Sequence, residues 1–154
     1  MMRKLSEVLC FAAITLWIGG LWIIGYVVAP VLFSSLGDRL LAGAIAGKLF
    51  SWIAWIGLGC AGYLLFFGFV RQGGRFCRSA GFWLILLMVL MTVVSHFGIQ
   101  PLMVQLKADA LPREVMESVL RDRFATWHGI SSILYLAQSL LGLWLVVWAN
   151  RGLR

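Results

Sequence analysis

The chain has 154 residues, of which 62% are hydrophobic and only 12% charged, with a mean hydropathy of +0.94. Soluble domains are about half apolar and a quarter charged, and a chain this short cannot hide so much apolar surface from water, so a water-soluble fold is excluded for most of it. The net charge of +7 does not point to nucleic acid, because the cations sit in pairs and triplets at the ends of apolar runs, where they set orientation and meet anionic lipid headgroups.

A spanning helix needs roughly 20 apolar residues, so the pattern predicts one transmembrane domain over 1–154 with spans at about 8–33, 47–70, 79–98 and 126–149. The expected fold is an all-α integral membrane four-helix bundle, with an outer interfacial amphipathic helix between spans three and four. Its first partner is the lipid bilayer.

Arg3 and Lys4 followed by an apolar run look like a signal peptide. The run is too long for one and lacks a small-residue cleavage site, so it reads as a retained first span. Pro30, near the far end of this span, has no amide hydrogen and leaves the Tyr26 carbonyl without its helical partner. Either an end-of-helix kink or a freed carbonyl lining a polar cavity follows. Asp38 is a plausible N-cap for span two. Helical stepping through that span places Gly43, Gly47, Phe50, Ala54, Gly57, Ala61, Leu64 and Gly68 on one stripe, a small-residue seam of the kind that lets helix backbones approach in lipid.

Arg71, Arg75 and Arg78 fill a short connection without an acid. Span three should break or kink where Gly98 meets Pro101. The piece from Leu111 to Phe124, with Pro112 at its first turn, is amphipathic, with Val115, Val119 and Leu120 on one side. The side bearing Arg3, Lys4, Arg71, Arg75, Arg78, Arg151 and Arg154 has only Glu7 to oppose them. The other bears Arg39, Lys48, Lys107, Arg113, Arg121 and Arg123 against five acids. The first side is therefore expected to be cytoplasmic, with both termini on it, in a membrane of the bacterial inner type.

Polar groups within spans are the first place to look for function. Span four carries His128, Ser131, Ser132, Tyr135, Gln138, Ser139 and Gly142 on one face, and span three adds Thr92, Ser95, His96 and Gln100. His96 near the end of one span and His128 near the start of the next fall at a similar level, so a two-histidine metal site helped by Met91 or Met103 is one expectation. The other is a pair of histidines bonded to backbone, water or headgroups. No acid lies within the spans, which weighs against an ion-coupled carrier. Cys10, Cys60 and Cys77 have no ligand spacing and read as buried small residues. No nucleophile–base pair or phosphate loop can be read, so enzymatic activity is unsupported.

The stretches WIGGLWxxGYxxAPxLF and DRxLAGxIAGKLF, with FxxWHGISS before span four, resemble the uncharacterised domain shared by many bacterial membrane proteins and by eukaryotic transmembrane protein 205. The likeness covers nearly the whole chain. It implies a four-helix membrane protein without an established activity, and the eukaryotic member's link to metal-drug tolerance hints at transport or trafficking. More distantly, span one is similar to the copper-resistance D proteins and to the haem-containing protoporphyrinogen oxidase of the J type. The latter has a haem-ligating histidine seven residues before the tryptophan, a place held here by Cys10. No cofactor is predicted from the residues themselves. Three functions remain in view: a small-molecule or metal binding or transport module lined by span four, a structural or accessory subunit that packs or oligomerises through the span-two seam, and a haem or metal redox protein.

Overall fold

The computed structural model describes residues 2–110, 116, 119 and 120, and 121–152, and every described regular element is helical. Four helical stretches are long and apolar enough to cross a bilayer, at Leu5–Ser35, Arg39–Arg78, Ala80–Ala110 and Arg121–Asn150. Spans one and three are composite. Helix α1 (Met2–Ile23) continues through a π-helical turn, Ile24–Val28, into α2 (Ala29–Ser35). The second crossing is one helix, α3 (Arg39–Gln72), ending in a 3-10 turn at Gly73–Arg78. Helix α4 (Ala80–Val93) passes through a second π turn, Val94–Ile99, into α5 (Gln100–Ala110), and α6 (Arg121–Gly152) forms the fourth crossing. Half of the helix expected over Leu111–Phe124 lies outside the described residues; its last four, Arg121 to Phe124, belong to the first turn of α6.

The connections follow from local chemistry. Asp38 caps α3 as its spacing suggested, accepting from the Leu40 and Leu41 amides at 2.8 and 3.1 Å, which satisfies two of the donors a helix start leaves free. Gly73 ends α3 with φ 58°, a left-handed geometry that glycine adopts without a side-chain clash. Ser79 caps α4 by accepting from the Phe82 amide.

The spans form a ring in chain order. Helix α1 packs on α3, α3 on α4, α4 on α6, and α6 closes against α1. Trp17, Met88, Ser139 and Leu145 are fully buried at the centre. Around them, bulky side chains of one helix settle onto glycines of the next. Trp17 covers Gly57 while Ile53 covers Gly20, a reciprocal pair joining α1 and α3. Tyr135 covers Gly25 while Ile18 covers Gly142, a second such pair joining span one to α6, and Trp148 covers Gly81. Without a hydrophobic drive between helices in lipid, close van der Waals fit of this kind supplies association. Much of the outer surface is apolar, with Trp52, Phe66, Val70 and Ile133 strongly exposed, as a lipid-facing surface requires.

One end of the bundle is closed by Phe69, Phe76 and Phe82 in edge-to-face contact at 5.5–5.9 Å, with Phe76 folded back over Gly68. At the same end Arg71 meets Glu7 at 3.6 Å and the Tyr63 hydroxyl donates to the Ser6 carbonyl. Helix α1 begins at Met2, so Glu7 lies past its first turn and is held by the ion pair instead.

Of the break or kink expected at Gly98 and Pro101, the break is absent. The third crossing runs on to Ala110 because the missing proline amide is absorbed by a π turn, in which the Gln100 N–H reaches back five residues to the Ser95 carbonyl. Span one treats Pro30 identically, with the Ala29 N–H on the Ile24 carbonyl. In both cases the π turn ends two residues before the proline. A widened turn ahead of a proline lets a helix continue where a strict α register would meet the ring.

Candidate functional site

The half of the bundle away from Glu7 and Arg71 holds most of the interior polar side chains, grouped around the two π turns. At the second turn, His96 Nδ1 lies 2.7 Å from Gln100 Oε1, and Gln100 Nε2 donates at 2.9 Å to the Gly47 carbonyl of α3. A carbonyl only accepts, so the amide of Gln100 must turn its nitrogen to Gly47 and its oxygen to the imidazole. Nδ1 therefore carries the proton, and in neutral His96 the lone pair is on Nε2. Aromatic rings frame the imidazole, Trp55 at 5.6 Å and Phe97 at 4.7 Å, both edge-to-face.

Further along α5, Lys107 reaches toward the Gly43 carbonyl at 3.5 Å and sits 5.7 Å from the centre of the Phe124 ring. Phe124 in turn stacks on His128, with ring planes 8° apart. A cation near an aromatic face and a carbonyl is held without a carboxylate.

At the first π turn, Tyr135 of α6 enters span one. Its hydroxyl donates to the Leu21 carbonyl at 2.5 Å. Its ring rests on Gly25 and meets Tyr26 and Phe50 edge-to-face at 6.1 and 5.3 Å. Deeper in the bundle, Gln138 donates at 2.8 Å to Thr92 Oγ1, and Thr92 donates to the Met88 carbonyl. Both residues are buried.

The expected sites distribute as follows. His96 and Gln100 are joined directly, and span two completes their chain at Gly47. His128 is exposed and is tied to Phe124, with no described contact to His96. The span-four stripe is inward-facing only along part of its length: Gln138, Ser139 and Gly142 are buried, Ser131 and Tyr135 half-buried, and His128 and Ser132 exposed. The hydroxyls of Ser132 and Ser139 bond back to the carbonyls of His128 and Tyr135 on their own helix, a pattern that needs no ligand. Among the described residues, no three His, Cys, Asp or Glu side chains converge.

The span-two seam is divided among several partners. Gly43 and Gly47 offer carbonyls to Lys107 and Gln100, Gly57 takes Trp17, and Gly68 takes Phe76. Ala61 is buried and Ala54 half-buried. Cys10, at the haem-ligand place of the distant resemblance, is buried in the apolar core beside Tyr63. Tyr63 lies eight residues from Trp55 on α3, about 12 Å along the axis, so the His96 ring that meets Trp55 belongs to a different level.

Sequence reading named Thr92 among the polar candidates but not its bond to Gln138, and it missed the roles of Lys107 and Phe124. Lys107 falls at i+7 from Gln100, and Phe124 at i−4 from His128, so helical stepping from the polar residues would have reached both. The pairing of Tyr135 with Gly25 carries no spacing signal, because 110 residues separate them.

A search of curated proteins and one of solved structures each found no match. A family described as a domain of unknown function, DUF4149, matches residues 12–111. That segment contains both π turns, Pro30 and Pro101, and the whole His96–Gln100–Gly47 chain, while span four lies beyond it. With well over half of its length matched, this chain belongs to the DUF4149 family of domains of unknown function.

Proposed function

We propose that this protein is a membrane-embedded binding module for a small ligand or metal ion, seated in the outward half of the bundle with His96 as the contacting residue. The observation that carries the reading is the chain from His96 through Gln100 to the Gly47 carbonyl. A histidine whose Nδ1 proton is held by a fixed acceptor keeps its Nε2 lone pair available to an outside partner, the arrangement that orients metal-binding imidazoles. The positive-inside pattern supports a cytoplasmic placement of both termini, which turns this half of the bundle outward. The likeness of span one to copper-resistance D proteins, and of the whole chain to transmembrane protein 205, makes metal ions the first ligands to test. In this reading Tyr135 and Gln138 hold the scaffold, while His128, Ser131 and Ser132 stand nearer its mouth.

The test is equilibrium dialysis of purified protein against zinc(II) and copper(I). Wild-type protein should bind one ion, His96→Ala should abolish binding, and Gln100→Leu should weaken it by about 10–100-fold, the usual loss when an outer partner is removed. Binding that survives His96→Ala, or wild-type protein that binds neither ion, rejects metal as the ligand of this site.

A second reading, an accessory subunit that docks another membrane helix, is favoured by one observation. Gly59 on α3 has open space where a side chain would stand, and it borders an apolar groove of ≈ 310 Å³ between α1 and α3, floored by Ala12 and Ala13. Gly59→Leu should dissociate a purified assembly if a helix lies there; an assembly that survives removes this reading.

A further inference from the structure

The His96 ring stands on the outer wall of the bundle, in the crevice between α3 and the third crossing. It meets Trp55 at 5.6 Å and Phe97 at 4.7 Å, and those two rings meet each other at 5.8 Å, all edge-to-face. Trp55 is 55% exposed and Phe97 53%, so the ring cluster faces outward. Nδ1 of the imidazole is occupied by Gln100. Nε2 makes no hydrogen bond among the described residues, and no buried side-chain nitrogen or oxygen there lacks a partner. Nε2 therefore reaches the surface, beside the two exposed rings.

The height of that surface decides what can approach it. Along α3, Trp55 lies seven residues from Lys48, about 10 Å, and 16 residues from Arg71, about 24 Å. An apolar core about 30 Å thick, measured from the arginine-rich turn, includes this level. Trp52, Ile56, Val93 and Val94, next to it on the two helices, are exposed apolar side chains. Lipid tails offer an imidazole lone pair no hydrogen-bond donor. A bare cation is strongly disfavoured on that path by the loss of its hydration, whereas a neutral molecule dissolved in the bilayer has free access.

We propose that the small ligand of this site is a membrane-dissolved phenol carried on an apolar tail, whose hydroxyl donates to His96 Nε2 while its ring packs on Trp55 and Phe97. This ligand class rests on the reading of His96 as the contacting residue and takes, within it, the neutral ligand over the metal ion. A phenol is a stronger donor than an aliphatic alcohol, because its ring spreads the charge that builds on oxygen. Its flat body suits two exposed aromatic side chains, since such rings favour offset or edge-to-face neighbours. Gln100, itself held by the Gly47 carbonyl, fixes the tautomer in which Nε2 is the acceptor.

The test is NMR of isotope-labelled histidine nitrogens in protein held in phospholipid nanodiscs. The chain has two histidines, and His128→Ala identifies which signals belong to His96. The probes are para-nonylphenol and para-nonylanisole, which share ring and tail but differ in that the anisole has no O–H. Nonylphenol should move the His96 Nε2 signal saturably, in the direction of an acceptor gaining a hydrogen bond, and nonylanisole should not. Trp55→Leu and Phe97→Leu should each raise the midpoint concentration by about 2–12-fold, the equivalent of one aromatic contact. Zinc(II), added separately, reports on the site itself. A zinc response at Nε2 without a nonylphenol response overturns the phenol and leaves His96 as the contacting residue. No response to either overturns both. Equal responses to nonylphenol and nonylanisole overturn the hydroxyl bond, and unchanged midpoints in both ring variants overturn the aromatic packing.

Discussion

The hydroxyl-bearing edge of the Tyr135 ring lies against Gly25, where even a methyl group would collide with it. This contact and the hydroxyl bond to Leu21 tie the fourth span to the first across 110 positions of sequence. The two halves of the interaction should have separable energies. Tyr135→Phe keeps the ring and loses one interhelical hydrogen bond, a loss of about 0.6–1.7 kcal/mol in membrane helices. Gly25→Ala keeps the hydroxyl and forces the ring out, and should cost more, about 1–3 kcal/mol as an overpacked core does. Unfolding in mixed micelles with increasing denaturing detergent measures both.

The glycines divide into those that are covered and those that face open space, and leucine substitution should sort them. Gly57→Leu and Gly81→Leu drive a side chain into Trp17 and Trp148 respectively and should each destabilise by several kcal/mol or prevent assembly, beyond the about 1–3 kcal/mol typical of overpacking. Gly62→Leu meets nothing and should change stability by less than about 0.5 kcal/mol, as substitutions remote from packed features do. Equal effects at all three sites would mean that the knob-on-glycine contacts do not hold the bundle.

Gln138 and Thr92 form the deepest side-chain bond between spans three and four. Gln138→Leu removes it yet leaves Thr92 its bond to the Met88 carbonyl, so the loss should be limited to about 1 kcal/mol. A double-mutant cycle with Thr92→Val isolates the pairwise part. A coupling energy near zero would indicate that the two residues each find other partners.

The ion pair of Arg71 and Glu7 lies at the bundle end with both side chains about one third exposed. Screening by water makes such pairs weak, so Arg71→Gln should lower stability by no more than about 1 kcal/mol. The effect should shrink as salt is raised. A large, salt-independent loss would show instead that Arg71 is needed for packing by its hydrocarbon stem.

Much of this fold was legible from one-dimensional pattern. Four apolar runs, the Asp38 cap and the arginine-rich turn after α3 are all local features, and local chemistry decides them. Pro30 and Pro101 were correctly marked as irregular positions, but not for what happens there. A proline reports a missing donor, and only the neighbouring helices decide whether the chain bends, stops or widens by one residue. The seam on α3 was also visible, although its division among Lys107, Gln100, Trp17 and Phe76 was not, because a small residue names no partner. His96 and Gln100 could be paired from their four-residue spacing. The acceptor that fixes them, the carbonyl of Gly47, has no side chain and leaves no trace in the sequence.

A π turn is, in effect, a single residue added to a helix without lengthening its role. Two of them, each set two residues before a proline, mean that spans one and three each carry one position more than a plain α-helix of the same height. Relatives built without either turn should therefore match this chain only with a one-residue gap, falling within Ile24–Val28 or Val94–Ile99. A comparison that forbids gaps inside helices would place every residue beyond the turn on the wrong face, and would separate Tyr26 and Gln100 from their true counterparts.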